Sequence, residues 1–97
     1  MSTPTNSDEF YKKLKVQLQD TALWPTTYLY KFIVKTDTEN IAKVEAIFDN
    51  MGAVINTKQS KNGKYTSVSV NIVMKNPEAV IIKYKEVAKK VEGVISL

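Results

Sequence analysis

Cysteine and histidine are absent from this chain, and so is arginine, all fourteen basic residues being lysine. Without cysteine there is no disulfide, no thiolate nucleophile and no thiolate metal site. Without histidine the commonest neutral-pH acid–base group and the commonest metal ligand are both missing. Neither an enzyme activity nor a metal or other cofactor is therefore expected. The lack of arginine bears on nucleic acid, because lysine meets a phosphate as a point charge and cannot form the fork that reads a base edge. No apolar run approaches the roughly 20 residues of a membrane-spanning helix. The first ten residues carry no basic block followed by an apolar stretch, so a cytoplasmic protein without membrane attachment is expected.

What is present describes a chain of 97 residues with one core and a surplus of four positive charges. Residues 1–22 read as a tail and an amphipathic helix, and residues 23–97 as the folded body. Met1 to Asn6 form the tail. Ser7 stands where a helix cap would, with Asp8 and Glu9 in the first turn and Phe10, Tyr11, Leu14 and Leu18 on one stripe. Pro25 forces Trp24 into an extended approach, and Trp24 is expected to anchor the helix to the body.

The body alternates between two periodicities. Thr26 to Lys35 is a strand with Tyr28, Tyr30, Phe32 and Val34 on one side and Leu29, Lys31, Ile33 and Lys35 on the other. Asp37 or Thr38 caps a helix carrying Ile41, Val44, Ile47, Phe48 and Met51, and Gly52 follows its end. Ala53 to Ser60 is a modest strand, and Lys61-Asn62-Gly63 turns it back into the longest alternating run of the chain. In that run Thr66, Val68, Val70, Ile72 and Met74 face one way, while Tyr65, Ser67, Ser69, Asn71 and Val73 face the other. Asn76 and Pro77 open a last helix with Val80, Ile81, Tyr84, Val87, Ala88 and Val91 on its apolar side. Gly93 ends it, and Val94 to Leu97 add a short strand.

The order after the leading helix is β-α-β-β-α-β. With right-handed crossovers this gives an α+β ferredoxin-like plait, a four-stranded antiparallel sheet in the order 4-1-3-2 with two helices on one face. The other face is left open. Leu29, Ile33 and Val73 point out of it and are expected to form one apolar patch beside Tyr65, covered either by the leading helix or by a second subunit in a homodimer. Around the hairpin, Ser60, Lys61, Lys64, Tyr65 and Ser67 form a second candidate group, able to meet a small anionic effector or a partner protein.

Three motifs add a family resemblance. Trp24-Pro25 precedes the strand Tyr28 to Lys35. The run from Ser60 to Val70 places Gly63, Tyr65 and Ser67-Val68 in a fixed order, and Val94 to Leu97 is a short aliphatic ending. Together, from about Leu18 onward, the chain resembles the DUF493 family, small bacterial proteins of unknown function whose fold is like that of ACT regulatory domains. It departs from the family pattern in carrying Thr36-Asp37 where a glycine is usual, and in its longer N-terminal helix. The resemblance implies a non-catalytic regulatory or interaction module with an ACT-like tendency to dimerise.

Two other classes deserve comparison. RNA-recognition modules share the plait and stack bases on aromatics of the two central strands. The third strand here offers Tyr65 alone, and GKYTSV lacks the second aromatic of that signature. Single-stranded RNA is thus the alternative reading rather than the leading one. For catalysis, the carboxylates Asp37, Glu39, Glu45 and Asp49 lie at a helix cap or on a polar helix face.

Overall fold

Burial alternates residue by residue along Tyr65–Met74, with Thr66, Val68, Val70, Ile72 and Met74 buried and the residues between them not. The period-two pattern thus forms the half-buried strand it predicts. The computed structural model describes residues 3–96, with side chains from residue 9 onward. Its elements are α1 (Thr3–Thr21), β1 (Thr26–Lys35), α2 (Thr38–Ile47), β2 (Val54–Gln59), β3 (Tyr65–Met74), α3 (Pro77–Lys90) and β4 (Ile95–Ser96). Leu97, expected in the last strand, lies outside the described residues.

The sheet order is β2-β3-β1-β4, every pair antiparallel, so the fold is the ferredoxin-like plait preceded by a helix. β1 and β3 pair over their whole length, from Thr26 opposite Met74 to Lys35 opposite Tyr65. Tyr30, Phe32 and Val34 of β1 and Val68, Val70 and Ile72 of β3 join Val44, Ile47 and Phe48 from the α2 side and Val80, Tyr84 and Val87 from α3 in one core. Each such side chain contributes about 1.5–3 kcal/mol on full burial. Rings dominate the centre, where Tyr30 lies 4.9 Å from Tyr84 and 5.0 Å from Phe48 between centroids.

Both helix starts within the plait are capped as the sequence suggests. The Asp37 carboxylate accepts from the Glu39 amide at 2.8 Å, and the Asn76 side-chain oxygen accepts from the Ala79 amide at 2.8 Å, with Pro77 at the first helical position. Other boundaries differ. α1 begins at Thr3, so Ser7 lies inside the helix rather than at its cap, and residues 3–6 are helix rather than tail. Pro4 suits a first turn, where its missing N–H has no partner to lose. α2 ends at Ile47 rather than at Met51. Phe48 and Asp49 donate to Glu45 and Ala46, tightening the last turn to i→i+3 bonds, and Asn50 then takes the left-handed conformation at φ 61°. This rotates Met51 out of the apolar stripe, leaving it 39% exposed. Gly52, expected to end α2, adopts φ 73° in the loop beyond. Ala88 is exposed as well, one residue and so about 100° around α3 from buried Val87.

α1 settles which layer it belongs to. Its Tyr11, Leu14 and Leu18, with Trp24, pack at the margin of the core, and α1 lies along α3. Lys15 reaches Glu78 at 3.4 Å, Lys85 sits 5.4 Å over the Tyr11 ring, and Trp24 Nε1 donates to the Leu18 carbonyl at 3.0 Å. Trp24 is the expected anchor. The leading helix therefore joins the helical layer and does not cover the open sheet face.

Candidate functional site on the open sheet face

Strand register determines which outward side chains are neighbours. Leu29 lies opposite Asn71, which lies opposite Val54; Lys31 opposite Ser69 and Asn56; Ile33 opposite Ser67 and Lys58, with Ile95 on its other side. Lys35 lies opposite Tyr65, and Thr27 opposite Val73. The single apolar patch expected from the sequence does not form. Val73 stands eight residues along β3 from Tyr65, about 26 Å at the usual strand rise, and belongs with Leu29 and Val54 at the far end. Ile33, Ile95 and Tyr65 make a second group at the hairpin end. The polar row of Lys31, Ser69 and Asn56 separates the two. The cause is antiparallel pairing, which sets early β1 residues beside late β3 residues.

At the hairpin end the face is concave. A groove of about 480 Å³ is lined by Ile33, Lys58, Gln59, Ser60, Lys61, Tyr65 and Ser67. Five of the expected site residues thus come together there: Ser60, Lys61, Tyr65, Ser67 and Ile33. Lys64 is in the same turn but does not line the groove, and Leu29 and Val73 are remote from it. Lys58 and Gln59 are the lining residues that sequence reasoning missed. The available signal was the hairpin register, which places Lys58 across from Ser67, but β2 has one apolar residue on each side, Val54 and Ile55, and periodicity alone gives it no facing.

The turn that closes this end is built by its own hydrogen bonds. The Ser60 amide donates to the Tyr65 carbonyl at 2.7 Å, the Gly63 amide to the Ser60 carbonyl at 2.9 Å, and the Asn62 side chain accepts from the Lys64 amide and the Ser60 hydroxyl, each at 3.0 Å. Gly63 alone in this turn takes positive φ, at 74°, so Asn62 acts through its side chain and not through a left-handed backbone. The Thr36 amide donates to the Lys64 carbonyl at 2.9 Å, and the Thr36 hydroxyl bonds that of buried Thr66 at 2.9 Å. Thr36 therefore ties the turn to β1. Ser60 and Ser67 are likewise engaged, Ser67 with the Lys58 carbonyl at 3.3 Å. The lysine ammonium groups and the Tyr65 hydroxyl remain as the groups facing an occupant, whereas Gln59, paired with buried Thr66, borders the groove at its margin.

Charge is segregated between the two layers. All ten acidic residues fall in helices, their caps or the turns that follow them, and no strand contains one. Lys31, Lys35 and Lys58 are on the open face, with Lys61 and Lys64 in the turn beside it. Among the described residues the ion pairs lie elsewhere, Glu39 with Lys43, Glu78 with Lys15, and Glu86 with both Lys83 and Lys90. Hydrogen bonding from Lys90, followed by that from Lys83, holds the Glu86 carboxyl below its ordinary range despite some desolvation. Asp37 caps α2, and Asp49 accepts from the Asn50 amide at 3.0 Å. No group of three or more carboxylates able to hold a metal ion occurs among the described residues, and no helix there is long and apolar enough to cross a membrane.

Fold and face together define an α/β plait whose helices carry the negative charge and whose bare sheet carries only positive charge. The family model described as a protein of unknown function, DUF493, matches residues 19–95, and the chain belongs to that family. No curated protein and no solved structure matches it.

Proposed function

We propose that this chain is a non-catalytic binding module that receives an anionic effector or partner on its open sheet face. The observation that carries this reading is the groove at the hairpin end, where Lys58 and Lys61 line the same concavity as apolar Ile33 and the Tyr65 ring. Its volume falls within the ~300–1,000 Å³ of small-ligand sites. Lysines without counter-charges attract anions over distances of about a Debye length, and apolar contact with Ile33 and Tyr65 adds affinity that salt does not remove.

A second copy of the chain is the poorer occupant. A two-fold contact across this face would bring Lys31, Lys35 and Lys58 of both copies together with no strand carboxylate to offset them. Single-stranded RNA is also disfavoured, since Tyr28, Tyr30 and Phe32 point into the core side and, among the described residues, Tyr65 is the one aromatic on the strands' open face.

The test is thermal stabilisation at low salt by phosphate, citrate and polyglutamate. A ligand at a hundred times its Kd raises stability by about 2.7 kcal/mol. Stabilisation by at least one of these anions, lost in Lys58→Glu/Lys61→Glu, is expected. Equal stabilisation of that variant and the parent would defeat the proposal.

A further inference from the structure

The open face is more than the groove at its end. Ser67, Ser69 and Asn71 occupy the outward positions of β3, and each is flanked on both sides by a register partner: Ile33 and Lys58, Lys31 and Asn56, Leu29 and Val54. The short side chains of Ser67 and Ser69, half-buried between longer neighbours on β1 and β2, make a trough along β3 that opens at exposed Asn71. Its walls, on β1 and β2, are two strand spacings or about 9.6 Å apart, and the floor from Ser67 to Asn71 runs for about 13 Å before Tyr65 closes its hairpin end. A depression of that shape suits an elongated occupant better than a compact one.

The side chains along it alternate in character. β1 presents Leu29, Lys31, Ile33 and Lys35 outward, apolar and basic in turn, at steps of about 6.7 Å. The apolar ends are well exposed, Leu29 at 50%, Val54 at 60% and Val73 at 65%. An occupant needs apolar groups for these positions and carboxylates for the lysines, in alternation. It also needs its own backbone satisfied, because the amides and carbonyls of β3 and of most of β1's inner edge are already used within the sheet. A strand laid flat on the face would find no backbone partners there. A helix brings its hydrogen bonds with it, is about 10 Å across, and presents residues i and i+4 about 6 Å apart.

We infer that the trough is a docking surface for an acidic amphipathic helix of a partner protein, with leucine-like and carboxylate side chains alternating along one face. This rests on the reading of the open face as an anion-binding surface and names its occupant. The lysine-only strands supply the charge complementarity, and they are also what makes a second copy of this chain a poor substitute.

The experiment uses the full chain with methyl-labelled NMR spectra and a helical peptide of about twenty residues, long enough to hold helix in water. The peptide carries leucine and glutamate alternately at i, i+4, i+7 and i+11, and a control carries lysine in place of glutamate. The outward methyl signals of Leu29, Ile33 and Val54 should shift on adding the acidic peptide while those of buried Val68 and Val70 stay, and the control should shift neither set. Affinity should fall roughly tenfold in Lys31→Glu/Lys58→Glu, two exposed positions whose reversal replaces attraction with repulsion. Equal binding of the control, tighter binding of oligouridylate than of the acidic peptide, or outward methyl signals that change with protein concentration alone would each overturn the inference. If phosphate or citrate binds and the peptide does not, the helix is the wrong occupant and the anion-binding reading survives. If no anion of any kind binds, both fall.

Discussion

Tyr30 donates its hydroxyl to the Val80 carbonyl at 3.0 Å, and the Tyr28 and Tyr84 hydroxyls share a hydrogen bond of 2.8 Å at the edge of the same ring cluster. Burial pushes the Tyr30 and Tyr84 hydroxyls well above the ordinary tyrosine range, with the Tyr28 bond adding to the rise at Tyr84. The unfolded chain, whose tyrosines ionise near pH 10, then releases protons that the folded chain retains. Their contribution is fully present below about pH 10 and is lost as pH rises beyond it. The thermal midpoint should therefore drop between pH 10 and 11.5, and tyrosinate absorbance should show Tyr30 and Tyr84 ionising only with unfolding. Tyr30→Phe/Tyr84→Phe should flatten that drop. At neutral pH, Tyr30→Phe should cost about 1 kcal/mol, the usual net worth of one hydrogen bond. Val70, fully buried on β3, allows a harsher test. Val70→Asp places an unpaired charge in a central strand and should leave the chain unfolded by far-ultraviolet circular dichroism, since the penalty rivals a domain's whole stability of about 5–15 kcal/mol.

At the scale of elements, the helix starts depend on single side chains. Asn76→Ala removes the acceptor for the Ala79 amide and should cost about 1 kcal/mol, lowering the melting temperature by about 4–8 °C in a domain of this size. α1 offers a different kind of test because it lies against α3. A chain beginning at Leu23 should lose stability and expose the α3 side, while the outward signals of Leu29 and Ile33 on the sheet should remain as in the full chain. Changes at those two residues would mean that α1 covers the sheet after all. The capped starts of α2 and α3 were legible in the sequence because a cap is a local interaction over three residues. The end of α2 was not, because Ile47 and Phe48 are buried while the tightened last turn and left-handed Asn50 carry Met51 away from the core, and the spacing of Met51 alone does not reveal that.

For the whole molecule, the separation of charge between layers is the feature with consequences. Helices take the carboxylates because caps and exposed helix faces accommodate them, and the strands take lysine where they take any charge at all. A homodimer across the sheet, which the apolar outward residues suggest when read alone, has to overcome that repulsion. Light scattering at low salt and high micromolar concentration should give a monomer of about 11.0 kDa. A mass near twice that, dissociated by Ile33→Lys, would establish the face as a self-contact instead.

The plait was legible in the chain's order of residues, because alternation and helical spacing are local properties and right-handed crossover leaves few topologies for β-α-β-β-α-β. Most of the hairpin-end groove was legible too, since Ser60, Lys61, Tyr65 and Ser67 are close along the chain. Tertiary structure decided the rest. Pairing β1 antiparallel to β3 split Leu29 and Val73 from Tyr65, and hairpin register brought Lys58 into the groove. Packing of Tyr11, Leu14 and Leu18 beside α3 left the sheet uncovered. Periodicity says which side of its own element a residue occupies, whereas neighbours across strands and layers follow from how elements are placed, and that depends on contacts between residues distant in the chain.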